Sequence, residues 1–189
     1  MNQNCFLARG AYPRSHKLED ISCLNLKKIF SLTITLLFLS STAAIASPAN
    51  QKGVTWAKKA HDTAKGVDTV GCKTGTVDCD AYKGDTSCAI ALPILCIKQS
   101  GAALPQGLDN SDRYNKWAKG HISHTSPIKG SDISSTNEAN MICENTLGSG
   151  YRMASHHDGW GWNFRAYGNV RNDTRYWVTV KDQAQAHCW

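Results

Sequence analysis

Residues 135–154, "STNEANMICENTLGSGYRMA", carry the clearest local fold signal in the chain. Ser135 and Glu138 have the spacing of a capping box, in which the hydroxyl and the carboxylate satisfy free amide groups at a helix start. Three residues at helical spacing form an apolar face: Ala139, Ile142 and Cys143. Gly148 then ends the helix, and residues 151–154 form a short strand. The stretch therefore predicts a capped helix that leads into a strand.

The chain after this stretch predicts a C-terminal antiparallel hairpin. Residues 155–163 form a loop, and residues 164–170 and 175–181 are two strands with a turn composition between them. The segment 176–180 has the strongest strand propensity in the chain. Trp177 lies in the middle of that segment, and we expect it in the core.

The mature chain before this stretch predicts a helix and a loop region. Residues 48–66 have apolar positions at helical spacing and end at Gly66, which predicts a short helix. Residues 67–87 are rich in Gly, Asp, Thr and Lys without a period, which predicts a loop region. Residues 88–97 are the most apolar mature stretch, and Pro93 predicts that they form a buried, bent segment.

The first 46 residues read as a presequence with a Sec-type signal peptide. Two lysines precede an apolar core at residues 29–39, and residues 44–46 have the small-x-small pattern of a cleavage site. The core is too short to span a bilayer, which argues against a membrane anchor. Cleavage after Ala46 leaves about 143 residues, enough for one domain with its own core. We therefore expect a single secreted or periplasmic domain over residues 47–189, with the N-terminal helix and loop region at 47–87.

Six cysteines fall in the mature chain, and an even number in an exported chain indicates disulfide bonds. They are Cys72, Cys79, Cys88, Cys96, Cys143 and Cys188. Fifteen pairings are possible, and we expect Cys72–Cys79, Cys88–Cys96 and Cys143–Cys188. A zinc site is the alternative, but the cysteine spacings do not match its usual short ligand pairs. The sequence thus predicts a small disulfide-stapled α+β domain, with a core at residues 88–189 and no metal or other cofactor.

Charge and hydropathy argue against two classes of partner. Much of the net charge of +6 lies in the presequence. The mature chain keeps about +3 without a basic run, so we do not expect it to bind nucleic acid. It has no stretch of ~18 apolar residues, so we expect no stable membrane insertion after cleavage. A surface glycan or a protein remains as the expected partner.

Three adjacent residues are the candidate reactive groups: His156, His157 and Asp158. A metal site needs three or more converging ligands. Residues 117–125 predict a strand, on which His121 and His124 face opposite sides and do not complete a site. His157 and Asp158 suit acid–base catalysis, although no nucleophile motif accompanies them. The other interpretation is structural, with Asp158 accepting hydrogen bonds from backbone amides of its own loop.

Trp160 and Trp162 stand beside glycines, which leave the two indoles little local cover. Exposed aromatic rings near Asn, Asp and His side chains suit stacking on a sugar ring or contact with a protein. The alternative is that both tryptophans fill the core of a small domain. The first interpretation gives a contact surface of five residues: His157, Asp158, Trp160, Trp162 and Tyr167.

One segment is similar to the core of C-type-lectin-like and endostatin-like domains. It is "SSTNEANMICENTLGSGYRMASHHDG", residues 134–159, together with the late Cys188. In those domains a capped helix carries a cysteine, a glycine ends it, and a short strand with an Arg–small pattern follows. The resemblance implies a C-type-lectin-like fold in which Cys188 pairs back to the helix. The family's Glu-Pro-Asn, Gln-Pro-Asp and Trp-Asn-Asp motifs are missing, so calcium-dependent sugar binding is not implied.

Seven short elements of the mature chain resemble a group of small exported bacterial proteins without an assigned activity. These are "GDTSC" (84–88), "LPILCIK" (92–98), "GYRMA" (150–154), "HDG" (157–159), "AYGNV" (166–170), "RYWV" (175–178) and "DQ" (182–183). Some members carry the name flagellar hook-length control protein. A hook ruler is expected to be longer and to leave by flagellar export, whereas this chain has a Sec-type signal. The resemblance therefore implies an exported bacterial protein.

Together, these features favour a secreted or periplasmic binding or interaction module over an enzyme. Its contact surface is the aromatic loop that contains Trp160 and Trp162. The alternative is an exported hydrolase that uses His157 and Asp158.

Overall fold

Strands and one α-helix build the part of the chain that the structure, a computed structural model, describes: residues 50–72 and 79–189. The strands are β1 (Lys52–Gly53), β2 (Thr55–Asp62), β3 (Val67–Gly71), β4 (Thr86–Ser87), β5 (Ala91–Leu92), β6 (Leu95–Gln99), β7 (Asn115–His124), β8 (Ile128–Lys129), β9 (Arg152–Met153), β10 (Asn163–Tyr167) and β11 (Arg175–Trp177). Helix α1 spans Thr136–Leu147, and short 3-10 turns lie at Gly130–Asp132 and Ala184–Ala186. The predicted signal peptide, with its apolar core at 29–39, lies outside the described residues.

Seven of these strands form one curled sheet in the order β11-β2-β3-β10-β7-β6-β9. β10 runs parallel to β7 and antiparallel to β3. The two edges of the sheet meet each other just beyond β9 and β11. There the amide of Thr179 donates to the carbonyl of Ala154 (3.0 Å), and the amide of His156 donates to the carbonyl of Thr179 (2.9 Å). The seam matters for function because the loop at residues 156–162 starts from it.

Two apolar clusters stabilise the fold. The first contains Trp56, Phe164 and Tyr176 with residues from most strands of the curled sheet. The second contains Cys96, Ala139, Cys143, Met153 and Trp177, so it joins helix α1 to the sheet. The expected burial of Trp177 is confirmed, and the mixed α+β class is confirmed as well.

The predicted helix cap forms, with the Glu138 carboxylate reaching the amide of Ser134 and not that of the N-cap Ser135. The amide of Glu138 donates to the Ser135 hydroxyl at 3.1 Å, and the Glu138 carboxylate accepts from the amide of Ser134 at 2.7 Å. Gly148 follows the last helical residue with φ +99°, a value that suits glycine. Over the described residues, no helix has both the length and the apolar character needed to cross a membrane.

All six cysteines of the described residues form disulfide bonds, but only one of the three predicted pairings is correct. Cys72 bonds to Cys79 as predicted. Cys88 bonds to Cys188 and Cys96 bonds to Cys143, with Cα–Cα distances of 5.6 and 5.7 Å. The predicted Cys88–Cys96 and Cys143–Cys188 bonds are wrong. β6 pairs with β9, on which helix α1 packs, so Cys96 meets the helix cysteine.

The predicted helix over residues 48–66 is wrong, because this segment contains strands β1 and β2. β2 is hydrogen-bonded to β3 on one side and to β11 on the other, and these pairings override the helical spacing of its alanines. Gly66 does adopt a left-handed conformation (φ +62°), but in the turn between β2 and β3. The predicted loop region 67–87 likewise contains β3 and β4.

The predicted C-terminal hairpin is also wrong, although both of its strands exist. β10 is paired on both edges, by β3 and β7, so it offers no edge to β11. β11 pairs with β2 instead, which places two strands between the expected partners. The strand predicted over 117–125 is confirmed as part of β7.

Candidate functional site

The loop at residues 156–162 is fixed to the ends of several strands. Its first residue, His156, is bonded to the seam, and the Gly159 carbonyl accepts from the amide of Lys116 in β7 (3.1 Å). The Trp162 carbonyl accepts from the amide of Cys72, directly after β3 (2.9 Å). The loop therefore has a defined conformation, and its side chains are presented from a rigid support.

Two glycines in this loop lie against neighbouring residues and leave Trp160 on the outside. A Cβ at Gly159 would collide with Phe164, and one at Gly161 would lie 2.9 Å from Cδ1 of Tyr114. Trp160, between them, has φ +70° and a side chain that is 81% exposed. A left-handed conformation costs a non-glycine residue roughly 1 kcal/mol or more. The alternative interpretation, in which Trp160 fills the core, is therefore wrong.

Asp158 supports the loop from the inside. Its side chain is 6% exposed and accepts from both terminal nitrogens of Arg152 (2.5 and 3.1 Å). It also accepts from the amide of Ser155 at 2.7 Å. The prediction that Asp158 binds backbone amides of its own loop is confirmed. Its carboxylate is thus engaged by Arg152, whereas His157 faces Asp182 (Nε2–Oδ1 3.7 Å).

Where this loop starts and ends, a groove of about 70 Å³ opens on the surface. Aromatic, histidine and polar side chains share its walls: Ala81, Tyr82, His156, His157, Trp162, Val180, Asp182 and Gln183. The ring centroids of Trp162 and His156 lie 4.9 Å apart, and those of Trp162 and Tyr82 lie 6.4 Å apart at an interplanar angle of 64°. We call this the seam groove, because residues on both sides of the seam line it.

His156 is the unusual residue of the seam groove. Both of its ring nitrogens are buried, and neither has a hydrogen-bond partner among the described residues. Its ring lies between the rings of Trp56 and Trp162. Burial lowers the pKa of His156 below its ordinary value, and the neighbouring His157 lowers it further. The neutral form of the imidazole is therefore favoured, and its buried nitrogens have unused hydrogen-bonding capacity within the described residues.

The five residues of the predicted contact surface are not all brought together. Trp162 and His157 line the seam groove, and Trp160 is two residues from Trp162, at most about 7.6 Å between Cα atoms. Tyr167 lies at the other end of β10, where its ring contacts Trp117 and stacks on His121. Asp158 lies beneath the loop, as described above.

Sequence reasoning missed Tyr82, Asp182 and Gln183 as groove residues. Asp182 and Gln183 follow the last strand and reach the groove only because the sheet closes on itself. Tyr82 follows the Cys72–Cys79 disulfide, which ties its segment to the end of β3. That predicted disulfide was the one signal in the sequence that pointed to Tyr82.

No group of three or more His, Cys, Asp or Glu side chains in residues 50–72 and 79–189 has the geometry to hold a metal ion. Comparisons with protein-family models, with curated proteins and with solved structures find no match. The functional argument therefore rests on the geometry of the site itself.

Proposed function

We propose that this protein is an exported binding module that holds its ligand with Trp160 and the adjacent seam groove. Trp160 carries the proposal, because it has a left-handed backbone and an indole that is 81% exposed. Neither feature stabilises the fold, since an exposed ring buries little area and the backbone conformation costs free energy. An exposed tryptophan held on a rigid loop is a typical contact residue of binding surfaces.

The groove supports binding over the alternative of a hydrolase. A serine, threonine or cysteine hydrolase needs an activated hydroxyl or thiol next to its base. The residues that line the seam groove include no Ser, Thr or Cys, and His157 faces Asp182 across 3.7 Å. Acid–base catalysis by His157 and Asp158 would need Asp158 to leave its bonds to Arg152.

The disulfide bonds support a secreted or periplasmic location, because such bonds persist in oxidising compartments. The partner that we propose is a surface glycan or a protein, in keeping with the exposed aromatic rings. A C-type-lectin-like architecture remains part of the proposal. It is supported by the mixed α+β class and by the capped helix, although the helix disulfide goes to Cys96 in β6 and not to Cys188 as the resemblance implied.

The test measures binding and stability in the same variants. The full-length chain, expressed under oxidising conditions, is applied to a glycan array and a phage-displayed peptide library. We expect specific ligands whose affinity falls about tenfold or more in Trp160→Ala and Trp162→Ala. The melting temperature of Trp160→Ala should not change, because the side chain is exposed. Met141→Ala, an exposed apolar residue on helix α1, is the control and should not alter binding.

Two results would overturn the proposal. If both tryptophan variants lower the melting temperature by several degrees and bind as the wild type does, the tryptophans are structural. If the protein turns over its ligand, and His157→Ala abolishes turnover in a folded protein, the chain is the hydrolase of the alternative interpretation.

A further inference from the structure

We propose that His156 is a pH switch: in acid its protonated ring leaves the site between Trp56 and Trp162, which frees the Trp162 side chain and weakens ligand binding. This inference rests on the proposed binding function and names its regulation. Three observations carry it. Both ring nitrogens of His156 are buried, neither has a hydrogen-bond partner among the described residues, and the ring contacts Trp162.

The site of the His156 ring suits its neutral form and not its protonated form. The ring centroid lies 5.9 Å from that of Trp56 and 4.9 Å from that of Trp162. A protonated imidazole has two N–H donors and a positive charge, but neither nitrogen has an acceptor among the described residues. A buried charge that is neither paired nor hydrogen-bonded is strongly disfavoured. Protonation therefore favours a conformation in which the ring is in water.

The titratable side chains that share the groove with His156 are His157, Tyr82 and Asp182. The ring centroid of His157 lies 5.4 Å from that of His156, and its positive charge opposes a second one there, whereas Asp182 favours it. β2 contributes the uncharged ring of Trp56. Burial is the largest of these effects, so the pKa of folded His156 lies below its ordinary value. The surroundings thus do not compensate the buried charge.

The groove gives the His156 ring a short path to water. His156 lines the groove and is partly exposed, although both of its ring nitrogens are buried. A change of side-chain rotamer moves the ring outward while the backbone amide stays bonded to the carbonyl of Thr179. The Asp182 carboxylate, 65% exposed at the same groove, is the acceptor for the protonated ring. The switch therefore needs no break in the seam.

Loss of the His156 ring changes the contact surface, because Trp162 packs against it. The two rings meet edge to face, at an interplanar angle of 77°. Trp162 is already 36% exposed, so its indole loses one of its supports when the ring leaves. A side chain that is no longer held in one orientation must be ordered on binding, which lowers affinity.

The size of the effect follows from proton linkage. The ordinary pKa of histidine is 6.5, and the pKa of buried His156 is lower. Between these two pKa values, each pH unit changes the ratio of open to buried ring by up to about tenfold. The measured Kd rises as the fraction of the binding-competent form falls. Ligand is therefore held at neutral pH and released in acid.

The test is an NMR titration of the full-length chain, expressed under oxidising conditions, between about pH 7.5 and about pH 5. It follows the protonation of His156 and the nuclear Overhauser contacts of its ring with Trp56 and Trp162. Far-UV circular dichroism checks that the chain stays folded. We expect the ring contacts at neutral pH and their loss as His156 protonates, with a midpoint below 6.5.

Two histidine variants make the titration specific. His157→Gln removes the charge that opposes protonation of His156, so the midpoint should move up towards 6.5. His121→Gln changes an exposed histidine that stacks on Tyr167 at the other end of β10, and it should leave the midpoint unchanged.

His156→Phe keeps an aromatic ring that does not titrate, so its contact with Trp162 should persist across the pH range. Binding is measured with the glycan or peptide that the array and the library select. Its affinity for the wild type should fall about threefold or more over the titration, and His156→Phe should remove most of that loss.

The outcomes separate the switch from the proposed function. If the ring contacts persist after His156 protonates, if His156 stays neutral throughout, or if the contacts vanish only when the chain unfolds, the switch is wrong and the binding function stands. If the ring leaves and the affinity does not change, the proposed regulation is wrong. If the array and the library select no ligand, the binding function fails together with its regulation, whatever the titration shows.

Discussion

Two histidines near the C-terminal seam, His156 and His187, both have buried ring nitrogens but opposite surroundings. His187 Nε2 accepts from the amide of Val180 (3.1 Å) and lies 3.0 Å from the Thr179 hydroxyl, and its ring stacks on Trp189. His156 is bonded to the same segment through its backbone amide, but its two ring nitrogens have no partner among the described residues. Burial lowers the pKa of both histidines. The segment after β11 thus supplies hydrogen bonds to the imidazole of His187 but none to the imidazole of His156.

Asp158 and Asp182 also differ in whether the fold supplies hydrogen-bond partners to the side chain. Asp158 is 6% exposed and is bonded to Arg152 and to a backbone amide. Asp182 is 65% exposed at the groove. Buried polar groups in folded proteins are almost always hydrogen-bonded, so a buried polar group without a partner calls for an explanation. His187 and Asp158 therefore belong to the hydrogen-bonded framework, whereas the His156 ring and the Asp182 carboxylate are not needed for it.

The largest effect expected from this comparison is on the two aspartates. Asp158→Ala removes a buried carboxylate and leaves Arg152 and the Ser155 amide without their acceptor, which should lower the free energy of unfolding by about 3 kcal/mol. Asp182→Ala is the matched variant, and it should leave stability unchanged because its side chain is exposed. Guanidinium denaturation measures both. Equal destabilisation by the two variants would contradict the conclusion that Asp158 stabilises the fold and Asp182 does not.

Replacing each histidine by phenylalanine should give effects of opposite sign. His187→Phe leaves the Val180 amide without its acceptor, which should cost about 2 kcal/mol. His156→Phe removes two unpartnered polar atoms and keeps the ring contacts with Trp56 and Trp162, so stability at neutral pH should be unchanged or higher. Thermal denaturation measures both variants. A large loss in His156→Phe would mean that its nitrogens have partners in the folded protein.

The histidine variants also test the comparison through the pH dependence of stability. The ordinary pKa of histidine is 6.5, and the pKa values of His156 and His187 in the folded protein are lower than this. The unfolded chain therefore binds more protons than the folded one as pH falls below 6.5, and stability falls with it. His156→Phe should flatten part of this slope. An unchanged slope would show that His156 does not titrate differently in the two states.

Local signals in the sequence predicted the helix, its cap and the burial of Trp177, because each depends on residues close in the chain. They also predicted the short Cys72–Cys79 bond. The helix expected at 48–66 and the terminal hairpin were wrong, because strand pairing between distant segments decides both. The groove was only partly predictable. His157 and Trp162 lie in one loop, and the predicted Cys72–Cys79 disulfide brings Tyr82 near the end of β3. Asp182 reaches the groove through the closure of the sheet, which no local pattern encodes.

The smallest effect concerns the backbone of the exposed tryptophan. Two non-glycine residues of the described chain have positive φ, Trp160 (+70°) and Lys119 (+58°), and both side chains are exposed. Glycine adopts this conformation without steric cost, so Trp160→Gly and Lys119→Gly should each raise the melting temperature by about 2–4 °C. Only Trp160→Gly should also weaken ligand binding. A lower melting temperature in Trp160→Gly would mean that the indole stabilises the fold, and Trp160 would then belong with His187 and Asp158 in the framework.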